Sequence, residues 1–144
     1  MAQSCMNSFL ILLAAALAVD AVVFSVGFQL NCTRMPQREG NVSSPNQLFW
    51  VDVWLVQKGS YGKDNVLSSR TKKSLSGDSQ MNFALTTEDV NEGLLDGKHE
   101  LYLHINHNCG VKRNKKTRHA TKIVEVGAMD PNNKLKLLGT INLP

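Results

Sequence analysis

His104, His107 and Cys109 are the residues of this chain whose types and spacing come nearest to metal chemistry. In an extended segment His104 faces one side, while His107 and Cys109 share the other. Two ligands on one face can begin a zinc or copper site. The plainer alternative is a polar strand end in which Cys109 pairs with another cysteine, and that pairing removes the sulfur as a ligand. No metal is expected on this reading, and His99 and His119 have no helpful ligand spacing. Nucleophilic catalysis needs an activated Ser or Cys beside a base and an orienting acid. The sequence has no Gly-x-Ser-x-Gly elbow, no Gly-rich phosphate loop and no His-Glu-x-x-His. Asp52 is the one unusual carboxylate, set in an apolar run and expected to point outward between Trp50 and Trp54. The chain therefore reads as a non-enzyme without a cofactor.

Charge gives a sharper lead. Lys112, Arg113, Lys115, Lys116, Arg118 and Lys122 cluster around His119, and no acid falls between Cys109 and Glu125. Clustered cations raise the local potential and attract polyanions. Outside a cell these are sulfated glycans or anionic lipid headgroups. The bland alternative is a solvated hairpin whose charges keep the chain soluble. Trp50 and Trp54 share a parity; a core-capping role is expected, with an exposed binding face as the alternative.

The elements that must position these residues read as strands. Phe24, Val26, Phe28, Leu30 and Cys32 alternate with Ser25, Gly27, Gln29 and Asn31. Leu48–Val56 follows, with Phe49, Val51, Val53 and Leu55 on one face. So continuous an apolar run suits a strand partly covered on both sides. Asn65–Thr71 is a weak strand. Met81, Phe83 and Leu85 mark another, and Leu101, Leu103 and Ile105 the next. Thr117–Val126 and Lys134–Leu143 complete about seven strands. Turn signals lie between them, and Thr87 could cap a single helical turn in the loop 87–97. This spacing predicts an all-β sandwich of two sheets.

The N-terminus reads as a signal peptide. Phe9–Val19 is an apolar block of h-region length, too short to cross a bilayer. Cleavage is expected after Ala21, with Ala18 or a retained anchor as alternatives. That places a signal peptide at 1–21 and one domain at 22–144. Losing Asp20 makes the mature chain one unit more positive than the formal +4. Cys5 leaves as well, so Cys32 and Cys109 remain. Disulfides persist in secreted proteins, and two cysteines allow one intramolecular pairing. Two free thiols or an intermolecular bridge are the alternatives. Asn41-Val-Ser43 and Asn31-Cys-Thr33 are glycosylation sequons, Asn41 being the better candidate because Asn31 adjoins Cys32. Secretion argues against a nucleic-acid partner.

Several segments share an order and spacing with one family. They are Gly27-Phe-Gln-Leu-Asn-Cys32, Val51-Asp-Val-Trp-Leu55, Asp64-Asn-Val-Leu67, Gly77-Asp-Ser-Gln-Met-Asn-Phe83, Leu101-Tyr-Leu-His-Ile-Asn-His-Asn-Cys109 and Gly139-Thr-Ile-Asn-Leu143. Together they resemble the transthyretin-like family of secreted nematode proteins across most of the mature chain. The two ends, Gly-x-x-x-x-Cys and His-x-Cys, are the most specific pieces. Extra cysteines common in that family are missing, and the Ser74–Gln80 turn is less regular, which marks a divergent member. The resemblance implies a transthyretin-like sandwich and an extracellular binding protein. Its partner would be a small apolar ligand, a lipid surface or another protein. A purine-pathway hydrolase has the related fold, but its C-terminal Tyr-Arg-Gly-Ser and basic-histidine site are absent here.

Overall fold

A computed structural model describes residues 23–35, 49–59, 64–74, 78–87, 99–111, 119–129 and 132–144. The expected signal segment 1–21, Asn41, and the cations Lys112, Arg113, Lys115, Lys116 and Arg118 lie outside the described residues. Seven strands are present: β1 (Ser25–Cys32), β2 (Trp50–Gln57), β3 (Asn65–Lys73), β4 (Gln80–Thr86), β5 (His99–His107), β6 (Ala120–Met129) and β7 (Leu135–Leu143). They form two sheets. One has the order β4-β1-β7, and the other β3-β2-β5-β6. All pairs are antiparallel except β1 with β7, which run parallel. The chain is thus an all-β sandwich, as its alternation predicts.

Period-2 patterning explains why the sheets stack. β1 alternates strictly, and its apolar set Phe24, Val26, Phe28, Leu30 and Cys32 is buried. Phe49, Val51, Val53 and Leu55 oppose it from the other sheet, each fully buried. Phe28 and Phe83, cross-strand partners in register, stack with ring centroids 5.3 Å apart. Leu101, Leu103, Ile105 and Leu143 complete the contact.

Register shifts interrupt three strand pairs: β2–β3 between Leu55 and Val56, and the β1–β7 and β5–β6 pairs, where the shift also changes which side chains face inward. The β1–β7 register shifts between Gly27 and Gln29, where Gly139 on β7 has φ +69°. An inserted residue moves every later side chain to the opposite face. Lys136 and Leu138 therefore face inward before the bulge, and Ile141 and Leu143 after it. Leu135 and Leu137 are left on the outside, 58% and 73% exposed. β6 behaves likewise. Its register with β5 shifts between Leu101 and Tyr102, opposite Gly127, and the strand runs on past the expected end at Val126 to a buried Met129. The loop after Thr87, where one helical turn is expected, lies outside the described residues; Thr87 itself is tied to β1. Its hydroxyl accepts the Phe24 N–H at 2.8 Å, and its own N–H donates to the Phe24 carbonyl at 2.9 Å, so it closes the β1–β4 end.

Cys32, closing β1, and Cys109, just beyond β5, form a disulfide with Cα atoms 5.5 Å apart. It joins the two sheets at one end. Around it Thr33 donates from N–H and Oγ1 to the Leu143 carbonyl, and the Gly110 N–H donates to the Arg34 carbonyl at 2.7 Å. Gly110 has φ +68°, and a Cβ there would lie 2.3 Å from the Pro144 oxygen.

Two expectations follow. The disulfide spans a sequence separation of 77. Replacing both cysteines by Ala should remove up to about 4–5 kcal/mol in the chain-entropy picture, read as a lower denaturant midpoint. Gly139→Ala meets no atom within 4 Å and should cost only the left-handed backbone penalty, about 1–2 kcal/mol. Gly110→Ala adds a backbone collision and should cost clearly more. Equal midpoints for the two variants would contradict this account of the disulfide end.

Candidate functional site

The outer face of β3-β2-β5-β6 follows directly from its register. Antiparallel partners put their side chains on the same face. Lys73, Trp50 and Asn108 lie at one end, and the Trp50 N–H donates to Asn108 Oδ1 at 2.9 Å. Next comes a polar row across all four strands: Thr71, Asp52, Asn106 and Thr121. Thr71 Oγ1 donates to Asp52 Oδ1 at 2.6 Å, and Thr121 Oγ1 to Asn106 Oδ1 at 2.6 Å. The third row is Ser69, Trp54, His104 and Ile123. The fourth is Val66, Val56, Tyr102 and Glu125.

Asp52 thus points outward between the two tryptophans. Trp50 and Trp54 are half-buried on this outer face rather than in the core, which corrects the core-capping expectation. The reason is the crowding of the inner face. Phe49, Val51, Val53 and Leu55 already fill it, so the even-numbered residues must turn away.

Rings and polar groups on this face are held in place. Tyr102 packs edge-on against His104, with ring centroids 6.1 Å apart. The Tyr102 hydroxyl donates to Asp64, which also accepts the Gly59 N–H at 3.3 Å. The Tyr102 bond, then the Gly59 bond, holds the Asp64 carboxyl below its ordinary range. The same bond pushes the Tyr102 phenol up. Ile123 is 62% exposed and ends the Trp54 row.

The remaining candidates fall elsewhere. Cys32 and Cys109 are joined in the disulfide, so Cys109 offers no thiolate, and His104 and His107 point to opposite faces. Among the described residues no three metal-ligating side chains gather. Lys122, from the basic run, pairs with Ile105 on the inner side of β6. Its Nζ donates to the Asn142 carbonyl of β7 at 2.8 Å. Asn31 stands on the outer face of the other sheet, where its Nδ2 donates to Asn142 Oδ1 at 3.0 Å. That face is an amide and hydroxyl ladder. Gln29 Nε2 donates to Asn82 Oδ1 at 3.1 Å, and Thr140 Oγ1 to Gln29 Oε1 at 3.2 Å. A shallow open depression of about 350 Å³ lies there, lined by Gln29, Asp78, Ser79, Gln80 and Asn82.

Sequence reasoning left Tyr102, Asp64 and Ile123 out of any site. The alternation of β5 carried a signal for Tyr102, since it shares parity with His104. Nothing local points to Asp64, which approaches Tyr102 only through the pairing of β2 with both β3 and β5.

No family model and no curated protein matches the chain. Among solved structures, a 9R-lipoxygenase from Cyanothece PCC8801 is similar at 13% identity and a TM-score of 0.40. The alignment covers 85% of this chain and 16% of that one. The chain thus spans a small part of that protein's length, and a likeness so distant carries no functional weight.

His107 supplies a pH test. It is 1% exposed, and its Nδ1 has no hydrogen-bond partner. Burial lowers its pKa below 6.5, a hydrogen bond with the Cys109 backbone works the other way, and the charge of Lys122 lowers it further. The folded state therefore resists protonation more than the unfolded chain does. Stability from neutral His107 is fully present above the unfolded pKa of about 6.5 and is lost as pH falls below it toward the folded pKa. Denaturation midpoints of the wild type should drop across that window, and His107→Gln should flatten the drop. An undiminished drop in the variant would assign the effect to other groups.

Proposed function

We propose that this chain is a secreted, non-enzymatic binding protein of the transthyretin-like class. On this reading the outer face of β3-β2-β5-β6 receives its partner: a small apolar ligand, a lipid surface or another extracellular protein. The carrying observation is that face itself, where Trp50 and Trp54 stand half-exposed beside Tyr102, His104 and Ile123. Large rings left partly in water are suited to recognition, because they bury much area on contact and lose little side-chain freedom. The two-sheet architecture is what the family resemblance implies, and the joined cysteines are the one intramolecular pairing that Cys32 and Cys109 allow. A disulfide also suits an oxidising compartment.

A second reading keeps the basic run, 112–122, as an adhesion surface for anionic glycans or lipids. The charge clustering of the sequence favours it. Lys122 contributes less than its number in the run implies, since its ammonium already meets the Asn142 carbonyl.

The chain's only tryptophans are these two, so emission reports the face directly. A partner seated there should blue-shift emission, shield it from acrylamide, and lose affinity for Trp50→Ala and Trp54→Ala. Phosphatidylcholine vesicles, phosphatidylserine vesicles and heparin separate the readings. Salt-sensitive binding with unchanged emission, abolished by replacing Lys112, Arg113, Lys115 and Lys116 with Gln, would transfer the function to the basic run.

A further inference from the structure

We propose that the partner of the tryptophan face is a neutral glycan chain lying along β2. This rests on the reading of that face as the binding surface and adds the chemistry of the ligand.

Trp50 and Trp54 share one side of a single strand, four positions apart, which separates them by about 13 Å on a sheet. That distance suits a short stretch of linked pyranose rings. A pyranose offers an apolar C–H face, and an aromatic ring meets it with its electron-rich face. Between the two rings lies the row Thr71, Asp52, Asn106 and Thr121, reaching across all four strands. Each oxygen of an ionised carboxylate accepts more than one hydrogen bond. Asp52 takes the Thr71 hydroxyl on Oδ1 and keeps Oδ2 for a sugar hydroxyl. Asn106 accepts from Thr121 on Oδ1 and keeps its amide N–H groups to donate. A linked sugar presents this same sequence: an apolar ring face, an edge of hydroxyls, then another ring face.

The pattern weighs against the other occupants. Protein interfaces place a desolvated apolar centre inside a polar rim. Here a polar row divides Trp50 from Trp54, so contact with an apolar protein patch would strand Asp52 Oδ2 and the Asn106 amide N–H groups without partners. An acyl chain meets the same cost. An anionic partner meets Asp52, Glu125 and Glu100 on the face and Asp64 beside it, whereas of its described cations Lys73 stands at one corner and Lys58, at the other end, is already paired with Glu100 at 3.5 Å. Charge therefore weighs against an anionic ligand.

The test is affinity electrophoresis and tryptophan emission on the secreted protein with soluble neutral probes. These are a mixed-linkage β-glucan, a galactomannan and N-acetylated chito-oligosaccharides. At least one should retard the protein and blue-shift its emission saturably, to the same extent at low and high salt. Trp50→Ala and Trp54→Ala should each weaken this binding about tenfold or more. Asn82→Ala, on the opposite sheet, should leave it unchanged. Far-UV circular dichroism checks the folding of each variant, and the wild-type emission shift stands without them. No saturable response to any neutral probe overturns the proposal. If vesicles or a purified extracellular protein then shift the emission and depend on both tryptophans, the face remains the binding surface and only the glycan assignment falls. If nothing that binds the chain depends on either tryptophan, both fall.

Discussion

Everything in this molecule hangs on the dry contact between two inner sheet faces. Phe24, Val26, Phe28 and Leu30 press from one side, and Phe49, Val51, Val53 and Leu55 from the other. Apolar area removed from water in this way is the dominant favourable term of folding. A sandwich seals its faces this way, but its lateral edges stay open. Here long cations close them. Arg70 and Lys72 emerge on the inner side of β3 and donate to the Ala84 and Asn82 carbonyls of β4. Lys72 also sits over the Phe83 ring, 5.0 Å from its centroid. On the other edge Lys122 of β6 reaches the Asn142 carbonyl of β7. Their aliphatic stems cover the rim of the core while the charged heads stay near water. These contacts also occupy carbonyls that β4 and β7 would otherwise offer to a foreign strand.

Most of this fold was legible because one face of each strand had to be apolar. β1, β4 and β5 keep strict alternation, as does β2 from Trp50 to Leu55, and their inner residues are those the sequence marks. Local pattern is silent in two places. Bulges at Gly127 and Gly139 reverse parity midway along β6 and β7. A period-2 reading of Leu135, Leu137, Ile141 and Leu143 has no way to place the reversal. Long side chains are the second case. Lys122 looked like one cation of a surface run, yet its stem lies on the inner side of the sheet. The candidate face was half legible. The parity of Trp50, Asp52 and Trp54 was plain, while their outward direction depended on which face Phe49 to Leu55 would claim. Tyr102 and Asp64 meet through tertiary pairing alone.

The disulfide end shows how much constraint gathers around one bond. Cys32 and Cys109 are close because β1 and β5 finish at the same end of opposite sheets. Gly110 then turns away in a conformation and a space that tolerate no side chain. His107 sits two residues before Cys109, buried, with an unpartnered ring nitrogen. A buried polar atom without a partner costs stability wherever it occurs. Here it stands at the end where the disulfide, the Arg34 and Leu143 carbonyls and the Pro144 terminus already fix the backbone, so the surroundings cannot relax around it cheaply.

The two outer faces of the sandwich make a useful contrast, since both are rigid and both are polar in part. On β4-β1-β7 the cross-strand pairs are amide to amide, hydroxyl to hydroxyl and, from Thr140 to Gln29, hydroxyl to amide. Gln29 with Asn82, Asn31 with Asn142 and Ser25 with Thr86 largely satisfy one another. Their hydrogen-bonding capacity is directed sideways, along the sheet. On β3-β2-β5-β6 the polar row pairs hydroxyls with a carboxylate and an amide that each keep unused capacity, and the rings on either side of it stand partly in water. Groups that are fixed in position yet incompletely satisfied gain more from a ligand than groups already paired, because no reorganisation precedes the contact. By that criterion recognition belongs to the tryptophan face, and the amide ladder on the opposite sheet serves mainly to hold its own strands in register.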